Sequence, residues 1–315
     1  MPGETHFVTV QAVDRAMRFV PTRPVRDSID YLFALLVTKY GLLVHEYLWM
    51  SNHWHLVVTD PRGELSAFLQ ELHSRVSRQL NALRGDSMEN FARDPTIQVI
   101  VDGGGVVKQA VYTLANPVAA GLVERVGDWK GCSSLSMRYG QTRTFSRPTV
   151  GLWAPTRASE SSKGKRTSRG RMRYRGRSKA PQTASFTLVR PADAAPELTD
   201  DELRDEVLAR AETAAAEHLA TRRAQGKPRA LGWRAVVSQS YRATATSRRA
   251  LFQTRPRVAG TDPAACRAFA EKIEAFERAY ADARERFRDD KTVEFPFGTL
   301  QMLRRYDVPC ATAPP

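Results

Sequence analysis

The chain has 315 residues, enough for one large or two medium domains, and 42% of them are hydrophobic, enough to bury a core. Its 48 basic and 34 acidic residues leave a net charge of +14, which points to a polyanionic partner, nucleic acid before any other. The apolar run from Leu32 to Val37 is far short of the roughly 18 residues a membrane span needs. Cys132, Cys266 and Cys310 are odd in number, widely spaced and match no metal-binding pattern. With no signal-like segment, that usage fits a reducing compartment, so the expected setting is cytoplasmic and nucleoid-associated.

The first 155 residues alternate between strand-like and helix-like patterns. His6 to Val13 is rich in β-formers. Ile29, Leu32, Leu36 and Tyr40 recur at helical spacing, with Gly41 where a C-cap belongs. Leu42 to Met50 and His53 to Thr59 read as two strands joined by a turn at Ser51 and Asn52. From Leu65 to Leu83 an apolar stripe predicts a long amphipathic helix closed by Gly85. Ile97 to Val101 reads as a fourth strand. After Gly103, Gly104 and Gly105, a third helix is expected from Val106 to Ala115, stopped by Pro117.

The resulting order, β-α-β-β-α-β-α, predicts an α+β fold: a ferredoxin-like split βαβ core with a central antiparallel sheet. Helices are expected on one face, leaving the other open for a site. Residues 156–190 read as a basic linker, disordered when free. Within it, Lys163 to Lys179 holds nine basic residues, no acidic one and a single aromatic. Arg169, Arg171, Arg173, Arg175 and Arg177 are candidates to track phosphates, with Tyr174 able to stack on a base. A solvated insertion is the plainer alternative. Residues 191–315 read as a mostly α-helical extension, either DNA-binding or a structural cap. Thr199 and Glu202 form a capping box at its first helix, and Asp262-Pro263 opens a second. The stripe Phe269, Ile273, Phe276 and Tyr280 on that second helix reads as core.

Two groups of residues could carry chemistry. In a strand, His53 and His55 share a face while Trp54 points the other way. Two such imidazoles can converge on one divalent cation, although unliganded strand histidines give the same pattern. Tyr112 and Asn116 lie one helical turn apart and share a face. A phenol is a poor nucleophile near neutrality, because its ordinary pKa is about 10. A cation or base beside it makes it competent, and Asn116 offers an amide oxygen to such a cation.

The stretch Leu43 to Val58, with Met50-Ser-Asn-His-Trp-His at its centre, and the stretch Tyr112-Thr-Leu-Ala-Asn-Pro-Val-Ala-Ala-Gly-Leu-Val123 resemble the single-tyrosine HUH transposases. Within them the resemblance is to the REP-associated tyrosine transposases, with Trp129 and Ser133-Ser134 matching a later element of the pattern. It is strong over residues 5 to 140 and looser around Glu294-Phe-Pro-Phe-Gly-Thr299. It implies that His53 and His55 are metal ligands, with Asn116 as the remaining protein ligand and Tyr112 as the nucleophile. The metal would be Mg²⁺ or Mn²⁺. The implied activity is cleavage and rejoining of single-stranded DNA through a 5′-phosphotyrosine link. The implied partner is single-stranded or hairpin DNA, bound by a monomer or a homodimer.

Two positions depart from the pattern. Gly103-Gly104-Gly105 stands where acidic and helix-forming residues are usual, implying a shorter or more mobile tyrosine helix. Ala92 stands where an aromatic often follows Asn90-Phe91. Alternatives at this stage are a domesticated relative that binds DNA without cutting it and a replication-initiator-like HUH nuclease. The latter commonly carries a third histidine. His45 is the nearest candidate for it and reads better as structural.

Overall fold

The computed structural model describes residues 2–154, 180–227, 229–245, 256–299, 302–303 and 306–312. Its centre is a five-stranded sheet built from β1 (Thr5–Gln11), β2 (Leu43–Trp49), β3 (His53–Thr59), β4 (Thr96–Ile100) and β7 (Val258–Ala259). The spatial order is β2-β3-β1-β4-β7. Neighbours among the first four strands are antiparallel, and β7 adds in parallel beside β4. The helix α1 (Arg23–Tyr40) carries the chain from β1 past β3 to β2, and α2 (Leu65–Arg84) carries it from β3 past β1 to β4. These are the two split βαβ units expected from the sequence.

Local chemistry sets the ends of these helices. Gly41 and Gly85 close α1 and α2 at φ 64° and 67°, the left-handed conformation only glycine adopts without strain. Helix α1 starts before the periodic stripe, at Arg23, because Pro24 tolerates a first-turn position. At the start of α2, Asp60 accepts from the backbone N–H groups of Arg62, Glu64 and Leu65.

Both helices pack on the sheet face that carries Val8, Val10, Trp54 and Leu56. On that face Trp49 and Trp54 stack with ring centroids 4.5 Å apart, and Phe33 stacks on Tyr47 at 4.6 Å. A two-stranded ribbon, β5 (Thr142–Ser146) with β6 (Thr183–Thr187), packs outside α1 and brings Phe186 against Phe33. Strand β6 falls within the stretch read as a linker, because Ala184 and Phe186 alternate inward from exposed neighbours.

The opposite face is not left open as the sequence suggested. Helix α3 (Gly103–Ala119) crosses it, and α4 (Asp200–Ala224) packs on α3. The helix is neither shortened by its glycines nor ended by Pro117. Asp102 caps its N-terminus by accepting from Gly105 N–H at 2.6 Å. A Cβ on Gly103 would stand 1.9 Å from the Asp193 carbonyl oxygen, so the glycines serve close backbone packing. Pro117 sits in the last turn, where its missing N–H removes a single hydrogen bond, and Leu122 N–H closes back on the Pro117 carbonyl. The capping box of Thr199 and Glu202 opens α4, and Asp262 with Pro263 opens α6 (Pro263–Arg286), as expected. A short α5 (Trp233–Ser238) lies between them. The α6 stripe of Phe269, Ile273, Phe276 and Tyr280 is half-buried rather than core.

Helix α4 is tied to the sheet by a charge pair sealed from solvent. Arg204 Nη1 donates to Glu46 Oε2 at 2.5 Å with both side chains fully buried. The same guanidinium donates to the Met137 and Ser134 carbonyls at 2.9 and 2.8 Å. Removing one member of such a pair leaves an uncompensated charge, at a cost of roughly 3–5 kcal/mol. Arg204→Met should therefore lower unfolding stability by about that amount in urea titrations. Glu46→Leu combined with Arg204→Met should recover part of it, and equal losses in the single and double variants would contradict this account.

Buried histidines set an acid limit on the fold. Burial lowers His6, His45 and His73 from 6.5 to about 4. In the unfolded chain they take up protons near 6.5, so stability is complete above that pH and declines as pH falls towards 4. Asp30 opposes this, since burial raises its carboxyl from 3.8 to about 6, so the fold keeps its proton up to about pH 6 and gains stability as pH falls from there towards 3.8. One carboxyl against three histidines leaves a net loss. The melting temperature should be lower at pH 5 than at pH 7.5, and a flat or rising profile would contradict this balance.

Candidate functional site

The alternation of β3 sends Trp54 into the core and His53 and His55 to the α3 face. His55 is 1% exposed, whereas His53 is partly open to a cleft of about 700 Å³. Their rings stand 4.9 Å apart between centroids, nearly perpendicular. Strand β1 pairs Thr9 opposite His55 and Gln11 opposite His53, so Phe7, Thr9 and Gln11 share the face.

Each imidazole is held by its Nδ1. His53 Nδ1 lies 2.7 Å from Asn52 Oδ1, an atom that can only accept, so the ring donates there. His55 Nδ1 lies 3.0 Å from Thr9 Oγ1, and its Nε2 faces Asn116 Nδ2 at 3.1 Å. As oriented, the amide donates to that Nε2, which places the proton of His55 on the Thr9 side. The Asn116 amide is thus held against His55, the next residue after the half-buried His53 on the same strand face. Burial lowers His53 to about 4 and His55 further still, the latter with a contribution from its neighbour His53. Both rings are neutral at physiological pH.

Tyr112 lies one turn before Asn116 on α3, over the same spot. Its ring meets His55 edge-on at 5.3 Å and Phe7 edge-on at 5.8 Å, and Phe7 stacks on His55 at 5.4 Å. At 47% exposure, Tyr112 is the most open aromatic side chain of this cluster. The cleft around it is lined further by Arg15, Arg222 and Lys227.

The four residues singled out as catalytic or metal-binding therefore come together. The six basic-segment candidates, Arg169, Arg171, Arg173, Tyr174, Arg175 and Arg177, lie outside the described residues. His45 stands apart, buried and bonded to the Val189 carbonyl and to Thr59 Oγ1, each at 2.8 Å. Sequence reasoning missed Phe7, Thr9 and Asn52, although the period-two pattern of β1 carried a signal for the first two. It also missed Arg15, Arg222 and Lys227, whose placement depends on tertiary contacts.

The donor set could offer two imidazole nitrogens and one amide oxygen to a divalent cation. The Nδ1 of each imidazole is engaged, as outer partners engage ligand histidines, and a cation at His55 Nε2 would take the place of the Asn116 N–H there once that amide turned over. Asn116 would add an amide oxygen. Among the described residues no group of three or more His, Cys, Asp and Glu gathers to hold a metal. Among the described residues the candidate donors, His53, His55 and Asn116, are all neutral.

No family model matches the chain, and no curated protein matches it. Among solved structures it is similar to a REP-associated tyrosine transposase bound to a REP hairpin. The identity is 19% and the TM-score 0.37, with 42% of this chain and 78% of that chain covered.

The Thr9 contact can be tested directly. Thr9→Val keeps the shape of the side chain and removes the partner of His55 Nδ1. Mn²⁺ affinity, followed by titration calorimetry, should fall about tenfold or more, the usual effect of losing such a partner. Unchanged affinity would separate Thr9 from any metal site.

Proposed function

We propose that this chain is a metal-dependent single-strand DNA endonuclease and strand transferase that works through a phosphotyrosine link. The observation that carries this reading is the exposed Tyr112 phenol set against the His53–His55–Asn116 cluster across an open, basic cleft. His53, His55 and Asn116 would hold Mg²⁺ or Mn²⁺. When bound, the cation supplies Lewis acidity towards the scissile phosphate and favours phenolate over phenol.

The remaining steps belong to the chain's own residues. Phe7 and His55 wall the Tyr112 ring on its inner side, and Tyr112 lines the cleft. Tyr112 Oη attacks phosphorus, forming the new O–P bond as the bond to the 3′-oxygen breaks. The phenol proton is released and the departing 3′-oxygen takes one up, leaving a 5′-phosphotyrosine and a free 3′-hydroxyl. Attack by a 3′-hydroxyl on that ester reverses the exchange, so strands rejoin without an added energy source. A neutral donor set suits this chemistry, because the substrate phosphate brings the negative charge that the protein ligands lack.

The test is a covalent adduct. Labelled single-stranded oligonucleotides with Mn²⁺ or Mg²⁺ should give a protein-linked band on a denaturing gel. Tyr112→Phe should remove the band, and His53→Ala should reduce it at least a hundredfold, on the order of what losing a catalytic contact costs. An adduct that persists in Tyr112→Phe would overturn the nucleophile, and DNA binding without any adduct would favour a binding protein.

A further inference from the structure

We infer that the chain beyond residue 200 builds one wall of the cleft, and that Arg222 and Lys227 on this wall form, with Arg15 across from them, an arc gripping phosphates on either side of the scissile one. The inference rests on the single-stranded DNA reading of the same cleft. It concerns how the strand is held, not how it is cut.

Three observations support it. The first is charge: Arg15, Arg222 and Lys227 line the cleft, and no Asp or Glu does among the described residues. The other described clefts each include a carboxylate, from Glu89, Asp27 with Asp30, Asp60 or Glu285. A basic lining without carboxylates around a reactive tyrosine fits a polyanion backbone.

The second is placement. Arg222 is in the last turn of α4, and its guanidinium lies on Gly121. A Cβ on Gly121 would stand 2.3 Å from Arg222 Nη2, so only glycine lets the guanidinium settle at the end of the tyrosine helix. Lys227 follows the left-handed Gly226 (φ 62°), and its N–H closes on the Arg222 carbonyl at 3.0 Å. Beyond it, Leu231 and Gly232 donate to the Gly121 and Leu122 carbonyls, each at 2.9 Å, which locks this strip to the end of α3.

The third concerns Arg15, which lines the cleft together with His53. Asp14 and Arg15 both have positive φ, 52° and 54°, a conformation costly for side chains of this kind. The turn is braced by the C-terminal part of the chain: Met17 donates to the Ala243 carbonyl at 2.8 Å and Ala245 to the Arg15 carbonyl at 3.2 Å. That brace is itself fixed where the Arg84 guanidinium covers the Tyr241 ring at 4.3 Å and Tyr241 Oη donates to Asp86. The same C-terminal region therefore supplies two of the cations and holds the third.

Binding of fluorescein-labelled oligothymidylate, measured by anisotropy in EDTA at several NaCl concentrations, tests the arc without needing cleavage. Each phosphate contact on a single strand contributes about 0.7 to the slope of log affinity against log salt. Arg222→Gln with Lys227→Gln should lower that slope by about 1.4, and Lys227→Glu alone, at an exposed position, by at least about 0.7. Arg23→Gln, at the exposed start of α1 and away from the cleft, should leave it as in the wild type. Wild-type slopes in both Lys227→Glu and the double variant would overturn the arc, even if the adduct forms. A wild type that forms no adduct would instead sink the nuclease reading and leave the slope comparison intact. Should the double variant melt early, the Lys227→Glu slope alone decides.

Discussion

Alternation along β3 is the constraint on which the rest of the molecule depends. Side chains one residue apart leave a strand on opposite faces, so one seven-residue segment, His53–Thr59, serves both the core and the site. Trp54 and Leu56 complete the packing under α1 and α2, while His53 and His55 meet α3 on the other side. A slip of one residue would put two imidazoles in the apolar core and an indole in the cleft. The stacked Trp49–Trp54 pair guards against that slip: its 4.5 Å stack forms only in the observed register, with Trp49 opposite Trp54. The histidines are thus positioned mainly by what their neighbours bury.

The second face has a different logic. The sheet side that carries Thr9, Gln11, His53 and His55 also carries Phe7, Val57 and Ile100, which pack with Val106 of α3 in a small apolar cluster beside the polar site. Helix α3 also adds Val107, Ala110, Leu114 and Val118 to the main core and packs α4 on its outer side. Arg204 then fastens α4 to Glu46 of β2, on the same sheet face, with every charge and several loop carbonyls satisfied. A buried pair of this kind adds little net stability over an apolar replacement, but it tolerates few alternative arrangements. Its consequence is geometric: the helix bearing Tyr112 lies between the sheet and a strut of fixed height.

The parts of this arrangement that were legible in the sequence are those coded locally. The element order from β1 to α3 followed from hydrophobic period and turn chemistry, the capping box at Thr199 from two residues, and the pairing of Tyr112 with Asn116 from helical spacing, whereas β5, β6 and β7 were not read as strands. The failures share a cause, since each depends on contacts distant in sequence. Gly103 to Gly105 looked like a helix breaker because the Asp193 and Gly260 backbones that need their smallness are about 90 and 155 residues away. Pro117 looked like a stop, yet it falls where few helical bonds remain to lose. The open sheet face was filled by a helix whose partner, α4, begins nearly a hundred residues later.

The exposure pattern at the cleft gives the final step. His55 and Asn116 are buried and hydrogen-bonded to each other, and the half-buried His53 is held by Asn52, whereas the phenol is 47% exposed with its ring against Phe7 and His55. Rigid groups suit a task that does not move, such as presenting lone pairs at one point. A nucleophile that must bond to a phosphate, carry it and return it needs a side chain whose far end is free. Tyrosine on a helix meets this need, since its ring can be walled by Phe7 and His55 while Oη stays in the cleft. The helix itself is held from beneath by the sheet and from outside by α4, so freedom at Oη does not loosen the backbone that aims it. Static donors and a single mobile acceptor of the phosphate are what a reversible transfer requires.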